Sequence, residues 1–301
     1  MTTNERFVDI REVGPRDGLQ SERPLTAEQR IEFIRRLIVA GITHLEIASF
    51  VRDDLVPSMA NAEEVVAGVP PRLGLTRTGL VANAKGAKRA LDCGLDEISI
   101  TVSLSSIYSQ NKTGKNRDEA LLAAAEILGC VADSVPTDAV ISCAFGSPYG
   151  DVSMRQDLPD FVLELKKLGC NRITLADTTG EATPRMIREA LALVGADVGL
   201  HLHETRGTGL LNAIAGLEAG VRKFDSSLGG IGGSPFADGA AGNVATETLV
   251  YVLDDLGFQT AIKLEQLLAV TPLLSHMIGH GLPSALAQLH SGEKGGGAGP
   301  Q

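Results

Sequence analysis

The sequence predicts an α/β protein built as a TIM (β/α)8 barrel with a C-terminal helical segment. Three observations carry that expectation. Short apolar runs rich in β-branched residues recur along the 301 residues, and each is followed by polar loop chemistry and a helical pattern that ends in glycine. Such alternation implies parallel strands joined by crossover helices. The runs number about eight, the count at which a parallel sheet closes into a barrel of typically about 250 residues. No linker of mixed Pro, Gly and Ser splits the chain, so residues 1–290 read as one domain and the Gly-rich tail 291–301 as disordered.

Taken in order, the strands are expected at Val8–Val13, His44–Ser49, Leu73–Leu80, Glu97–Ser103, Ala139–Phe145, Arg172–Ala176, Gly199–His203 and Phe224–Leu228. Between them, helix starts are marked by side-chain caps. Thr26 with Gln29, Asn116 with Glu119 and Ser153 with Gln156 have capping-box spacing, and Thr183-Pro184 offers an N-cap followed by a proline at the first helical position. Gly41, Gly94, Gly169 and Gly220 each close an amphipathic run shortly before a strand, where glycine can take the left-handed conformation that ends a helix. The run LLAVTPLLSHMIGHGL within Leu264–Leu289 is more apolar than a monomer should expose, which predicts a homodimer.

Composition narrows the functional classes. With 44% hydrophobic and 21% charged residues, the chain can bury a sizeable core and does not read as disordered. A net charge of -10 argues against nucleic acid or an anionic membrane as partner, since both call for a basic face. No apolar run approaches the roughly 20 residues of a membrane span, and the first strand begins too early to leave room for a targeting peptide. A cytoplasmic protein is expected. Cys93, Cys130, Cys143 and Cys170 lack any C-x-x-C spacing and suit reduced, mostly buried thiols.

Chemistry concentrates in Val198–Gly207, VGLHLHETRG, where His201 and His203 stand two positions apart in a strand-like run. Residues i and i+2 of a strand project from one face, so the two imidazoles would point together. In a barrel of this kind the active site lies at the C-terminal ends of the strands. The other polar residues at those ends can therefore be gathered with them. GPRDGLQ places Arg16 and Asp17 after the first strand, LEIAS carries Glu46 in the second, LADTTG ends the sixth at Asp177, and GGIGGSPFADGAAGN brings Ser234 and Asn243 after the eighth. Each has a structural alternative: Asp17-Gly18 as a turn, Glu46 as an ion-pair partner of Arg16, Asp177 as a cap, the glycine loop as a phosphate cradle. Together, two imidazoles, a carboxylate and an amide oxygen make a mixed N/O donor set that suits a divalent metal ion such as Mg²⁺ or Mn²⁺.

GPRDGLQ, LEIASF, VPSM, ISCAFGSPYG, LADTTG, HLHETRG with Asn212, and GGIGGSPFADGAAGN with ATE resemble the hydroxymethylglutaryl-CoA lyase family, of the Asp-Arg-Glu TIM-barrel metallolyases, in order from about residue 8 to 257. The resemblance implies a TIM barrel in which Asp17, His201, His203 and Asn243 hold the cation. It assigns Arg16 to the enolate, Glu46, Asp177 and Ser234 to the catalytic set, and Arg16, Gln20 and Ser49 to the substrate. The implied reaction is cleavage of 3-hydroxy-3-methylglutaryl-CoA, an acyl-CoA, to acetyl-CoA and acetoacetate. Ser234 and Ser147 stand where cysteines are usual, Glu204 where an aspartate is, and Ser106 where a glutamate is, which points to a shifted acyl-CoA substrate. Competing expectations are another aldol-type enzyme, either a condensing synthase or a 2-oxo acid aldolase, and a catalytically silent metal- or acyl-CoA-binding barrel.

Overall fold

Eight strands, β1 (Asp9–Glu12), β2 (His44–Ser49), β3 (Thr76–Val81), β4 (Glu97–Ser103), β5 (Thr137–Ser142), β6 (Arg172–Ala176), β7 (Gly199–His201) and β8 (Lys223–Ser226), close into one barrel in sequence order. Every neighbouring pair is parallel, and β8 returns to β1 with Arg11 opposite Asp225. The structure is a computed structural model that describes residues 6–131, 134–233 and 242–292. Around the barrel run α1 (Ala27–Val39), α2 (Ala62–Gly68), α3 (Ala84–Asp92), α4 (Ser106–Thr113), α5 (Arg117–Val131), α6 (Met154–Lys167), α7 (Pro184–Val194), α8 (Gly209–Glu218) and α9 (Thr246–Asp255). Three further helices follow, α10 (Leu264–Leu268), α11 (Thr271–Ile278) and α12 (Ala285–Ser291). Among the described residues, no helix is long and apolar enough to cross a membrane.

Local chemistry explains most of the boundaries. Thr26 Oγ1 accepts from Gln29 N–H while Gln29 returns its side chain to the Thr26 N–H, and Asn116 and Glu119 make the same reciprocal pair. Thr183 caps α7 through the Met186 N–H, with Pro184 at the first position. Ser153 departs from expectation: its side chain makes no cap bond, and its N–H donates instead to Asp157 Oδ2 at 2.7 Å. One residue further along than Gln156, a carboxylate accepts more strongly than an amide would. Gly41, Gly94, Gly169 and Gly220 all have positive φ, as helix-ending glycines should.

Several strand limits move. The third begins at Thr76 rather than Leu73, because Leu73 and Gly74 (φ +79°) form an exposed turn. The fifth runs Thr137–Ser142 and stops where Cys143 adopts φ +58°. The seventh ends at His201; His203 leaves the parallel ladder and bridges antiparallel to Asn243. The first and eighth are likewise trimmed, to Asp9–Glu12 and Lys223–Ser226. The C-terminal segment is corrected more substantially. Leu267, Leu268, Val270, Leu274, Met277, Ile278 and Leu282 are buried against the chain's own barrel, so they do not form the exposed apolar face that motivated a dimer. Ser291, placed in the tail, closes α12, and residues 293–301 lie outside the described residues. All four cysteines are free, Cys143 and Cys170 buried but Cys130 exposed and Cys93 intermediate, so only half match the expected burial.

Outward strand residues such as Ile98 and Ile100 pack beneath the helices as an aliphatic shell. The inside is different, because its lower layer is ionic where branched aliphatics usually fill such a barrel. Arg11, 1% exposed, pairs with Asp138 and Asp225 at 2.7 Å each. Arg172 reaches Asp9 at 3.1 Å, and His44 spans Asp9 and Glu97 at 3.2 and 3.1 Å. Burial works against the Glu97 carboxylate, yet its bonds and charges from His44 and Arg11 hold it down at about 2. This layer is the floor of the candidate site.

Candidate active site

Immediately after β1 the sequence GPRDG winds into a one-turn π-helix, Gly14–Gly18, which lifts Arg16 and Asp17 onto the barrel mouth. Glu12 anchors that turn to the far side of the barrel. Its Oε1 accepts from the Gly14 and Leu228 N–H groups at 2.8 and 3.0 Å, and its Oε2 from Thr246 Oγ1 at 2.6 Å. Arg16 bridges two carboxylates: Nε and one amino group donate to Glu46 Oε2 at 2.6 and 2.5 Å, and the other amino group to Asp17 Oδ1 at 2.9 Å. The Glu46 pairing is therefore real, and it also fixes Arg16 at the mouth.

Asp17, His201 and His203 offer ligand atoms that all lie within 4.8 Å of one another. The two imidazoles do project together, centroids 5.1 Å apart and nearly perpendicular. Each is oriented through Nδ1, leaving Nε2 for a ligand. His203 Nδ1 meets the Asp177 carbonyl oxygen at 2.7 Å, which can only accept, so Nδ1 carries the proton. Burial, followed by the His201 charge, pushes His203 down to about 4 and keeps it neutral, as a metal ligand must be. His201 Nδ1 meets Asp225 Oδ2 at 3.2 Å, and Nε2 lies 3.8 Å from Asp17 Oδ2. Burial favours neutral His201, but the Asp225 bond and the Asp17 charge outweigh it and raise its pKa. Asp17 is held below the ordinary carboxylate range: desolvation opposes this, and the Arg16 and His201 charges prevail.

Asn243 completes the cluster. Its Nδ2 donates to Asp17 Oδ2 at 2.8 Å and to the Ile231 carbonyl at 3.1 Å, while Oδ1 is buried with no hydrogen-bond partner among the described residues. A buried, unpaired amide oxygen beside a carboxylate and two Nε2 lone pairs fits a hard divalent cation. The close approach needs Gly232 (φ +97°), where a Cβ would come within 2.6 Å of Asn243 Nδ2.

Arg16, Asp17, Gln20, His201 and His203 line a cavity of about 700 Å³, together with residues of β3, β4, β5 and α4. Four other described residues assigned from the sequence, Asn243 among them, do not line it. Glu46 lies behind Arg16. Asp177, pushed up to about 6 by burial, accepts the Glu181 and Ala182 N–H groups and reaches the site only through the carbonyl that holds His203. Ser49 is buried with its hydroxyl unpartnered at the end of β2. Ser234 lies outside the described residues. The departures from the family pattern also have local partners: Ser147 Oγ bonds Ser105 Oγ, Ser106 Oγ accepts from the Arg117 N–H, and Glu204 caps α8 through the Gly209 and Leu210 N–H groups. None of these three faces the cavity, so they do not reshape it. Asp225 and Arg11 escaped the sequence reading. Their signal was present as a charge at every second position of DIR and KFD, the strand face opposite the aliphatic one.

The HMGL-like family model matches residues 7–274. The chain belongs to the HMGL-like family. The crystal structure of Bacillus subtilis HMG-CoA lyase is 34% identical, covers 95% of this chain and 98% of that one, and superposes with a TM-score of 0.92. An HMG-CoA lyase from Acinetobacter baumannii, solved in complex with coenzyme A and 3-methylmalate, is also 34% identical, with both chains fully covered and a TM-score of 0.89. The 3-hydroxy-3-isohexenylglutaryl-CoA/hydroxymethylglutaryl-CoA lyase of Pseudomonas aeruginosa is 37% identical over 86% of this chain and 89% of its own length.

Proposed function

We propose that this protein is a divalent-metal-dependent carbon–carbon lyase that cleaves a 3-hydroxy-3-methylglutaryl-CoA-like thioester to acetyl-CoA and a keto acid. The observation that carries the reading is the convergence of Asp17, His201 and His203 beside the unpaired Asn243 oxygen, at the wall of a cavity large enough for an acyl group. Close relatives named as HMG-CoA lyases support it, one of them holding coenzyme A.

Asp17, His201, His203 and Asn243 would hold the cation, and their N/O set suits Mg²⁺ or Mn²⁺. Such an ion supplies Lewis acidity and a template, lowering the pKa of a chelated alcohol. The protein's part is to keep His203 neutral through the Asp177 carbonyl and His201 oriented through Asp225. In the reaction the tertiary hydroxyl loses its proton, the adjacent carbon–carbon bond breaks, and its electron pair passes to the thioester as an enolate. Arg16, always charged and pinned by Glu46, stabilises the oxygen on which that charge develops. A proton returned to the enolate carbon completes acetyl-CoA; Ser234, the serine in place of the usual cysteine, would position substrate or water beside that carbon. Gln20, on the cavity wall, and Ser49 are the assigned substrate contacts.

Incubation with 3-hydroxy-3-methylglutaryl-CoA should yield acetyl-CoA and acetoacetate in equal amounts, stop on chelation and resume with Mg²⁺ or Mn²⁺. No cleavage with any divalent cation refutes the reading. Free thiols support a reducing, cytoplasmic compartment. A homodimer is also proposed, supported by exposed Leu122 on α5, Leu163 on α6 and Leu168 just after it, and checked by mass in light scattering.

A further inference from the structure

The inside of a TIM barrel is ordinarily packed with bulky branched side chains. Here, on the β3–β5 side, Thr101 stands between the branched Leu80 and Val140, and the layer leaves room. Thr101 lies in the middle of β4, hydrogen-bonded between β3 and β5, and yet it is the one exposed residue of that strand. Its exposure is to the barrel interior, since Thr101 lines the cavity with Leu80 of β3 and Val140, its register partner on β5. None of the cavity-lining residues of β3, β4 and β5 carries a charge, whereas the candidate metal cluster lies across the barrel, in the turn after β1, at the end of β7 and just beyond it, and in the segment after β8. A cavity of about 700 Å³ is mid-range for sites that enclose drug-sized ligands, and larger than a methyl-branched glutaryl group fills.

We propose that the recess of Leu80, Thr101 and Val140 receives an apolar substituent longer than methyl on the carbinol carbon, making the preferred substrate a 3-hydroxy-3-alkylglutaryl-CoA with an extended alkyl branch. This rests on the lyase reading above and names its substrate class. Leu80, Thr101 and Val140 carry no charge to offset desolvation of the free carboxylate or of the phosphates of coenzyme A, and the cationic residues of the same cavity, Arg11, Arg16 and Lys112, lie on β1, the turn after it and α4. An alkyl branch meets no such penalty, and each methylene it buries there adds about fourfold in kcat/KM. The Pseudomonas aeruginosa relative is named for a substrate branched with isohexenyl as well as for the methyl one.

The test uses the metal-loaded full chain with the 3-methyl and 3-propyl members of the 3-hydroxyglutaryl-CoA series. The propyl compound should exceed the methyl one in kcat/KM by about sixteenfold, two buried methylenes at about fourfold each. Thr101→Phe, which fills the recess, should lower that propyl-to-methyl ratio at least tenfold, and the isosteric Thr101→Val should hold it. If Thr101→Phe does not fold, Thr101→Leu gives the same readout with less added volume. Cleavage of the methyl compound in preference to propyl, or a ratio that filling the recess does not move, overturns the inference and leaves the lyase reading standing. Cleavage of neither compound overturns both.

Discussion

Asp225→Asn tests the design of the metal centre at a residue one step removed from it. The carboxylate is 3% exposed and engages Arg11 through two bonds, at 2.9 and 2.7 Å, and His201 Nδ1 through a third at 3.2 Å. Two effects follow from removing its charge. Breaking a buried ion pair by neutralising one member typically destabilises by about 3–5 kcal/mol. Arg11 keeps Asp138 at 2.7 Å and Glu97 at 3.5 Å, so the loss should fall at the low end, about 3 kcal/mol. Separately, an amide presents a donor as readily as an acceptor to Nδ1, which releases the tautomer that leaves Nε2 unprotonated. Outer partners of ligating histidines are worth about 10–100-fold in metal affinity. Calorimetric titration with Mn²⁺ should therefore show that weakening, and denaturant unfolding of the metal-free protein the stability loss. A variant that loses the stability but binds Mn²⁺ within threefold of the parent would show that Asp225 serves the barrel floor alone.

Three further outcomes are expected. His203→Ala should strip the cation and abolish turnover while the fold persists; full metal occupancy by elemental analysis contradicts the assignment. Ser234→Cys should leave turnover of the preferred substrate unchanged, because a serine at that position fits substrate or water positioning better than acid catalysis; a large gain on adding the thiol, whose ordinary pKa is about 8.5, argues for a missing proton donor. Acid should destabilise the barrel through Glu97, whose folded pKa of about 2 lies below the ordinary 4.5. The stabilisation is full above 4.5 and is lost as pH falls through about 2, amounting to at most about 3 kcal/mol. Denaturant midpoints at pH 5 and pH 3 should differ, and Glu97→Gln should flatten the difference; equal slopes for both proteins rule the group out.

By itself the sequence determined what depends on short-range pattern. Eight β-branched runs between capped, glycine-ended helices are enough to specify a closed parallel barrel, and His201-x-His203 is enough to specify two imidazoles on one side, because those periods are fixed by backbone geometry. Placing Arg16, Asp17 and Asn243 with them follows from the rule that strand ends converge in such a barrel. Tertiary structure alone decided what depends on distant partners. Whether Glu46 and Asp177 face the cavity or stand behind Arg16 and His203 is set by the path of loops, which spacing along the chain does not record. That Asp225 and Arg11 join the site, 214 positions apart, required β8 to close on β1. The same closure decided the acyl recess. A threonine in a strand is unremarkable as a letter, and only the neighbours around the ring reveal that no described residue fills the space in front of Thr101. Packing is a property of the whole barrel, so the volume left inside it belongs to no single stretch of sequence.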